Sequence, residues 1–339
     1  MPKVSVLMPV YNGEKYIGQA IDSILSQSFR DFELVVVDDG STDMSAEIVG
    51  SYSDKRVRYV ANPTNLGLAG ARNRAIEVSN GDYLAWLDCD DISLPDRLLK
   101  QVALLDEYPN VGLCGTWVRT LGLESEQVWQ YPSAPGFVRA RMLFDDPVAT
   151  SAAMVRRSCL AADELRFDTR FPPAEDYDLW ERISRTNGVC NISEVLTLYR
   201  IHPNQISTIK REQQRKAVWE IQSRLLQQLY VEPSEEEKFL HLEIGVGWHF
   251  AADVVSLDLT EGWLKKLAGA NDKTAVFPRE GFRGVLAERW FLANLAAVRV
   301  GMVSWKRYGK SGLASWGASR LRRQARLLLE SMRHGKYGA

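Results

Sequence analysis

Three carboxylates stand within four residues of one another, at Asp88, Asp90 and Asp91, directly after an apolar run. Anions this close repel one another unless positive charge lies between them. Oxygen ligands suit the hard cations Mg²⁺ and Mn²⁺, with phosphate as a co-ligand. Asp88 and Asp90 can both turn towards one such ion if the chain bends after the run. The alternative is that all three are helix-capping or solvent-facing loop acids.

The elements around this acidic segment predict where it lies in a fold. Residues 83–87 are apolar and follow the turn signal Asn80-Gly81, which predicts a buried strand. Ser93 and Pro95 then predict the start of a helix, as its cap and first-turn residue. The carboxylates would therefore lie at the carboxyl end of a buried strand, where open α/β sheets bind their ligands.

Strand-like and helix-like patterns alternate over the first eighty residues. Residues 4–10 predict a first strand, although Pro9 cannot donate to a ladder, so we expect pairing to fail near it. Residues 32–37 predict a second strand, apolar on both faces as in a covered parallel sheet. Residues 57–60 predict a third. This alternation predicts an α/β sheet with right-handed crossovers.

Polar loops follow three of these strands. The loops are Tyr11-Asn12, Asp38-Asp39 and the segment with Asp88 and Asp90. Gly40 permits a sharp turn, and residues 41–43 are suited to cap a helix. Because the loops would meet at one edge of the sheet, they predict a ligand crevice. The GxxxxGK[ST] and GxGxxG phosphate-binding motifs are missing, so positive residues such as Arg72 and a metal would have to neutralise a phosphate.

Two further residues could join such a crevice. Asp176 precedes an apolar helical pattern, which makes it either a helix N-cap favoured by the macrodipole or a general base. His202 ends a strand-like stretch that begins at residue 196. A histidine there is either a structural residue or a ligand that completes a Mn²⁺ shell.

The composition is typical of a globular protein that has a hydrophobic core and no disulfide framework. The chain has 339 residues, 45% of them hydrophobic and 25% charged, enough for one large domain or two. Its four cysteines have no CxxC spacing, which favours a reducing, cytoplasmic compartment. The first residues do not match a signal peptide, and no run of eighteen apolar residues predicts a membrane span.

The character of the sequence changes after residue 208, where strand signals give way to helix formers. Ser234 and Glu237 form a capping-box pattern at the start of a helix. Thr260 has the position of a cap for another helix, with Trp263 and Leu264 on its apolar side. We therefore expect a helical region over 209–339.

The C-terminal tail is strongly basic. From Arg299 onwards there are ten Lys/Arg and one acid, a net charge of +9, while the rest of the chain carries −10. One helical face from about residue 320 holds Leu321, Ala325, Leu328 and Met332, with arginines around it. Such a pattern predicts either an interfacial helix on an anionic membrane or a basic face packed on the acidic part of the protein. Nothing else in the sequence favours nucleic acid as a partner.

Six segments in order resemble the motifs of the family 2 inverting glycosyltransferases, of the type that makes bacterial cell-surface polysaccharides. They are residues 4–12, 36–43, 65–73, 87–91, 174–180 and 199–203. The resemblance covers about residues 3–208 and implies the GT-A fold, a Rossmann-like mixed sheet flanked by helices. We therefore expect a GT-A domain over 1–208 and a helical C-terminal region over 209–339.

The resemblance also implies residue roles, position by position. The residues that would bind the nucleotide sugar are Pro9, Tyr11, Asp39, Arg72 and Asp88. Tyr11 would pack on the base and Asp39 would hydrogen-bond it, while Arg72 would lie near the base and diphosphate. Those that would hold Mn²⁺ or Mg²⁺ are Asp88, Asp90 and His202. Asp176 would be the general base.

The implied activity is a metal-dependent sugar transfer, with inversion, from a nucleotide diphosphate sugar, with UDP favoured, to a glycan or lipid-linked acceptor. The enzyme would be cytoplasmic or peripheral at the inner face of the plasma membrane. Two alternatives stay open. One is transfer to polyprenyl phosphate, which is already anionic and needs little base catalysis. The other is a nucleotide-sugar-binding scaffold without turnover.

Overall fold

The computed structural model describes residues 1–160, 166–203, 205, 209–245, 254–317 and 319–334. The chain forms two compact units. The first is Met1–Pro135 with Pro147–Val218, and the second is Gly136–Asp146 with Trp219–Ala339. The first unit extends to Val218, ten residues past the domain boundary predicted at residue 208, which itself lies outside the described residues. Residues 136–146, which have no boundary signal in the sequence, belong to the second unit.

A nine-stranded mixed sheet organises the first unit over the described residues. Its strands are β1 (Val4–Val10), β2 (Phe32–Asp38), β3 (Val57–Ala61), β4 (Tyr83–Trp86), β5 (Ile92–Ser93), β6 (Val111–Leu121), β7 (Val128–Trp129), β8 (Met154–Arg156) and β9 (Gly188–Arg200). The order is β3-β2-β1-β4-β8-β6-β9-β5, with β7 beside β6. The first four strands in this order are parallel, and antiparallel β8 follows β4. The predicted α/β class with a mixed sheet is confirmed.

Helices cover the sheet and make up most of the second unit. In the first unit they are α1 (Ile17–Leu25), α2 (Ser45–Gly50), α3 (Gly67–Val78), α4 (Arg97–Glu107) and α6 (Glu175–Ser184); α5 (Pro135–Arg141) and α7 (Arg211–Gln228) cross its boundaries. The second unit adds α8 (Glu235–Gly245), α9 (Val254–Thr274), α10 (Arg279–Ala296), α11 (Met302–Lys310) and α12 (Arg320–His334). Among the described residues, no helix is both long and apolar enough to cross a bilayer.

The core of the first unit lies between the sheet and helices α1 and α4. Fully buried isoleucines of α1, at positions 17, 21 and 24, pack on alternate residues of β1 and β2. The helical spacing that predicted α1 is therefore the spacing that faces the sheet. The same core receives Leu98 and Leu105 from α4.

Pairing does not fail at Pro9, contrary to the sequence-based expectation. The β1–β2 ladder continues through Pro9↔Val37 to the end of β1. The reason is directional. The carbonyl of Leu7 accepts the Leu87 N–H, so odd-numbered residues of β1 present their backbone towards β4. The β1–β4 register ends at Leu7↔Trp86, and the N–H that proline lacks would point where no partner strand remains.

The prediction that Ser93 caps a helix is wrong. Ser93 belongs to β5, which pairs with β9, and α4 begins at Arg97. The Ser93 hydroxyl accepts a hydrogen bond from Gln27 Nε2 at 3.1 Å, and its N–H donates to the Ser23 hydroxyl at 3.1 Å. A tertiary contact with α1 therefore uses the groups that a cap would have used.

Among residues 41–43, Asp43 caps the start of α2 as the sequence predicts, because its Oδ1 accepts the N–H of Ser45, the first residue of that helix, at 3.0 Å. Thr42 N–H donates to Asn12 Oδ1 at 2.8 Å, and the Asp43 carboxylate accepts from Glu14 N–H at 2.9 Å. The segment is thus fastened to the loop after β1. The turn predicted at Gly40 is confirmed, since its φ is +82°.

Two helix signals in the second unit have opposite outcomes. The capping box is confirmed, because Glu237 N–H donates to Ser234 Oγ at 3.2 Å and Ser234 N–H donates to Glu237 Oε2 at 3.0 Å. Thr260 is not a cap. It lies inside α9, buried, and its hydroxyl donates to the Ser256 carbonyl at 2.7 Å. A hydroxyl that bonds back one turn is compatible with a helix interior, so its presence alone does not mark a start.

The second unit contains a fully buried histidine, His241. The Nε2–H of His241 donates to the Leu143 carbonyl at 2.8 Å, and its Nδ1 accepts from Trp263 Nε1 at 3.2 Å. Both ring nitrogens are satisfied only in the neutral form. Burial lowers the pKa of His241 to about 4, with Arg289 adding to this effect and the Leu143 carbonyl opposing it.

This arrangement predicts that the second unit loses stability in mild acid. Below its ordinary pKa, His241 takes up a proton in the unfolded chain but not in the folded one. Stability present above about pH 6.5 should therefore fall by about 3 kcal/mol as the pH drops to about 4. Urea unfolding measured across this window tests the expectation. His241→Gln, which can donate to Leu143 and accept from Trp263 without titrating, should show a shallower pH dependence; an unchanged slope would contradict the assignment.

Candidate functional site

The acidic loop leaves the sheet directly after β4, as the sequence predicts. The backbone N–H of Asp88 donates a hydrogen bond to the Ser151 hydroxyl at 3.1 Å, which anchors this residue. Its side chain is partly exposed, as is that of Asp90. The carboxyl ends of β1, β2 and β4 therefore bring Tyr11, Asp39 and Asp88 to one edge of a parallel sheet.

A single arginine joins this edge to α6. Arg72 of α3 donates from Nη1 to Glu175 Oε1 at 2.7 Å and from Nη2 to Asp88 Oδ1 at 3.1 Å. Arg72 is 3% exposed and Glu175 is 1% exposed. The guanidinium also lies over the Phe167 ring, 5.5 Å from its centroid. Since both carboxylates depend on one cation, α3, the loop after β4 and α6 are held in a fixed arrangement.

The charges of this group shift its proton affinities. Burial raises the pKa of Glu175, the positive charge of Arg72 opposes that rise, and Asp176 adds to it, so the pKa of Glu175 is about 7. Burial lowers the pKa of Arg72, but the combined charge of Asp88, Glu175 and Asp176 outweighs it and raises this pKa above its ordinary value. Arg72 therefore remains a cation, and Glu175 can change charge near neutral pH.

Asp176 is the second residue of α6 and has both oxygens oriented. Oδ1 accepts from the Tyr177 N–H at 2.8 Å, and Oδ2 accepts from the Thr150 hydroxyl. Its neighbour Glu175 is the residue held by Arg72. The structure thus brings the predicted base to the helix that Arg72 ties to Asp88. An oriented carboxylate of this kind can accept a proton from a bound hydroxyl.

The other predicted ligand pair forms a direct contact. His202 Nε2 lies 2.9 Å from Asp90 Oδ2. Arg200, at the end of β9, donates from Nε to the Asp90 carbonyl at 2.8 Å, and its guanidinium lies over the Tyr16 ring. The His202 ring also lies against Tyr16, at 5.3 Å between centroids. Arg200 therefore fastens the acidic loop to the end of β9, two residues before His202.

Asp91, the third acid of the loop, has a different environment. It is buried, and its Oδ1 accepts the Arg200 N–H at 2.8 Å, while its Oδ2 has no hydrogen-bond partner within the described part of the chain. Burial, together with the charges of Asp90 and Asp88, raises the pKa of Asp91 well above its usual range. This acid therefore braces the loop rather than facing a ligand.

The predicted metal ligands Asp88, Asp90 and His202 do not make a ready three-ligand cluster. Among the residues that the structure describes, no group of three His, Cys, Asp or Glu side chains could hold a metal ion. The donor set nevertheless fits Mg²⁺ or Mn²⁺. Burial and the negative charge of Asp88 raise the pKa of Asp90, which shows that added positive charge would be favourable there. Mg²⁺ commonly binds one or two carboxylates and completes its shell with phosphate and water.

The remaining residues predicted to bind the nucleotide sugar lie along the same edge of the sheet. Tyr11 is exposed at the end of β1, and the loop behind it is fastened by Ser41, whose hydroxyl accepts the Asn12 N–H at 2.9 Å. Asp39 is buried, and its Oδ1 accepts from Asn62 Nδ2 and Leu66 N–H, both at 2.8 Å. Pro9 is buried within β1. Their roles towards a nucleotide stay predictions.

Sequence reasoning did not assign roles to Glu175, Thr150, Arg200 and Asp91, although they position the predicted residues. Glu175 and Arg200 lie inside motifs that the resemblance includes, next to Asp176 and two residues before His202. That adjacency could have drawn attention to them. Thr150 carries no signal, because its contact with Asp176 joins residues 26 positions apart.

Comparison with known proteins identifies the family. The sequence profile described as "Glycosyl transferase family 2" matches residues 5–160. An uncharacterized glycosyltransferase of Haemophilus influenzae is 31% identical over 232 residues, covering 65% of this chain and 72% of that protein. The Escherichia coli protein WfgD, a UDP-Glc:alpha-D-GlcNAc-diphosphoundecaprenol beta-1,3-glucosyltransferase, is 28% identical over 220 residues, covering 64% of this chain and 84% of that protein.

Solved structures share the fold. TarS 1-349 of S. aureus in complex with UDP-GlcNAc has a TM-score of 0.55 at 20% identity, covering 98% of this chain and 92% of that one. The mannosyltransferase PcManGT of Pyrobaculum calidifontis, in complex with GDP-Man and Mn²⁺, has a TM-score of 0.54 at 18% identity, covering 100% of this chain and 88% of that one. The chain belongs to the family 2 glycosyltransferases and has the GT-A fold.

The ion group around Arg72 generates a stability prediction. Arg72→Met leaves Glu175 buried without its cation, which should cost about 3–5 kcal/mol of unfolding free energy. Loss of the cation also raises the folded-state pKa of Glu175 further above the value of about 7 that it has beside Arg72. A carboxyl with a raised folded pKa contributes stability at low pH that is lost as the pH rises, so the variant should be weakest above about pH 7.

The double variant Arg72→Met/Glu175→Gln should recover part of this loss and its stability should depend less on pH. Denaturant unfolding of the wild type, both single variants and the double variant measures the coupling. If the loss of unfolding free energy in the double variant equals the sum of the losses in the two single variants, Arg72 and Glu175 do not depend on each other.

Proposed function

We propose that this enzyme is a metal-dependent inverting glycosyltransferase. It would transfer a sugar from a nucleotide diphosphate sugar, with UDP favoured, to a glycan or lipid-linked acceptor in the synthesis of a surface polysaccharide. The observation that carries the proposal is the connection of Asp88 to Glu175 through Arg72, because it fixes the oriented Asp176 relative to the acidic sheet edge. The family membership supports sugar transfer as the reaction class.

The donor would lie along the sheet edge. The exposed Tyr11 ring offers a face for a nucleobase, and Asp39 lies at the end of the adjacent strand. The diphosphate would then reach the loop with Asp88 and Asp90. A divalent cation held there would neutralise negative charge on the diphosphate when bound. UDP is favoured because TarS is described with UDP-GlcNAc and WfgD is named for UDP-Glc.

The chain's own residues supply the proton chemistry. Thr150 and the Tyr177 N–H hold the Asp176 carboxylate in one orientation. Asp176 would accept the proton of the acceptor hydroxyl as its oxygen forms a bond to the anomeric carbon. The bond from that carbon to the diphosphate oxygen breaks on the opposite face, so the configuration inverts and the nucleoside diphosphate leaves.

The class of acceptor would determine where in the cell the enzyme works. A lipid-linked acceptor would bring it to the inner face of the plasma membrane, as a peripheral protein. The name of WfgD, which includes a diphosphoundecaprenol acceptor, supports this class. The sugar and the linkage in that name describe WfgD and are not transferred to this enzyme.

Replacement of the base tests the mechanism. Asp176→Asn keeps the size of the side chain and should leave UDP binding near the wild-type affinity. Turnover should fall about 10²–10⁴-fold, since the proton of the nucleophile has no acceptor. The measurement is release of UDP from UDP-glucose and UDP-N-acetylglucosamine, with water as the nucleophile. Glu77→Gln, at an exposed ion pair on α3, is the matched control and should be unchanged.

Two results would redirect the proposal. An Asp176→Asn variant that turns over at the wild-type rate with water would remove Asp176 as the base. If it keeps full activity only when polyprenyl phosphate is supplied, the acceptor is an anion that needs no base. A wild-type protein that binds UDP but never releases it from any UDP-sugar would be a nucleotide-sugar-binding scaffold.

A further inference from the structure

Helix α12 carries a row of uncovered apolar side chains. Leu321 is 80% exposed, Leu329 is 59% exposed and Met332 is 54% exposed. At 100° per residue these three lie within one quarter of the helix circumference, with Ala325 between them. The helix is instead buried through Leu327, on another side. The sequence predicted an apolar face at Leu321 and Met332, and the structure shows that this face is not covered by the described residues.

A basic row runs beside the apolar row. Arg322, Arg326 and Arg333 follow one another at spacings of four and seven, so they share one stripe of the helix, and all three are exposed. Arg333 lies 3.4 Å from Glu330 on the same helix. Arg322 and Arg326 make no ion pair with any described residue. Within the described residues, these two arginines therefore have no carboxylate partner.

These two rows together restrict what can cover the helix. A nucleic acid would neutralise the arginines but leave the leucines in water. A second copy of the same face, packed antiparallel, would bring arginines near arginines. A bilayer with anionic headgroups offers phosphates at the depth of the arginines and hydrocarbon just below. Because α12 is too short and too charged to span a bilayer, it would lie in the plane of the surface.

We infer that α12 binds the surface of an anionic phospholipid bilayer. Leu321, Leu329 and Met332 enter the boundary between headgroups and acyl chains, and the basic row contacts lipid phosphates. This inference goes beyond the proposed function, since lipid binding needs neither donor nor catalysis. It names the surface by which the enzyme would reach a lipid-linked acceptor.

Vesicle co-sedimentation of the purified protein tests the inference. The wild type should bind vesicles of phosphatidylcholine with phosphatidylglycerol, bind phosphatidylcholine alone weakly, and be released by added salt. The apolar variant L321S/L329S/M332S and the basic variant R322Q/R326Q/R333Q should each bind the anionic vesicles at least about tenfold more weakly. The control F239S/V255S/L259S alters exposed apolar residues on α8 and α9 and should bind as the wild type does.

Circular dichroism and UDP binding of each variant separate loss of fold from loss of lipid binding. Hydrogen exchange of the wild type adds a readout without mutation: residues 320–334 should become protected when anionic vesicles are added. No binding of the wild type to anionic vesicles, or equal binding by both tail variants, would overturn the inference. So would a wild-type dimer that becomes monomeric in L321S/L329S/M332S, because the face would then be an interface between copies of this chain.

Discussion

The candidate site depends on one buried cation. Arg72 is the only group described here that contacts both Asp88 and Glu175, and it is almost inaccessible to solvent. Breaking a buried ion pair is costly, because the remaining charge has neither water nor partner. Asp176 follows Glu175 in the chain, so its distance from Asp88 depends on the charge requirement that holds Glu175 at Arg72. The same requirement limits Arg72 as a direct ligand of a diphosphate, since its Nη atoms already bond two carboxylates.

The three acids of the loop after β4 are separated by their surroundings. Asp91 is buried and bonds the backbone of β9, Asp90 pairs with His202, and Asp88 pairs with Arg72. Only the last two have exposed oxygens at the sheet edge. Three neighbouring carboxylates in the sequence therefore become one buried brace and two partly exposed groups in the structure, and burial separates them.

Much of the sheet could be predicted from the sequence, because parallel strands buried on both faces are continuous apolar runs. The position of the loop with Asp88 followed from the order of those runs, and the helix that contains Asp176 followed from its own apolar spacing. Local signals failed where tertiary contacts competed with them, as at Ser93 and Thr260. The contact of Arg72 with Glu175 joins residues 103 positions apart and has no local pattern. The uncovered face of α12 also needed coordinates, since periodicity shows an apolar face but not what covers it.

The central claim is that the edge with Asp88 and Asp90 binds a nucleotide diphosphate together with a divalent cation. Calorimetric titration of UDP into the wild type, with Mn²⁺ and then with a chelator, tests it most directly. The account predicts binding that needs Mn²⁺ and that weakens at least about tenfold, or 1.4 kcal/mol, in Asp90→Asn. Equal UDP binding with and without the cation would contradict the metal assignment. No binding of UDP or GDP under either condition would contradict the site itself.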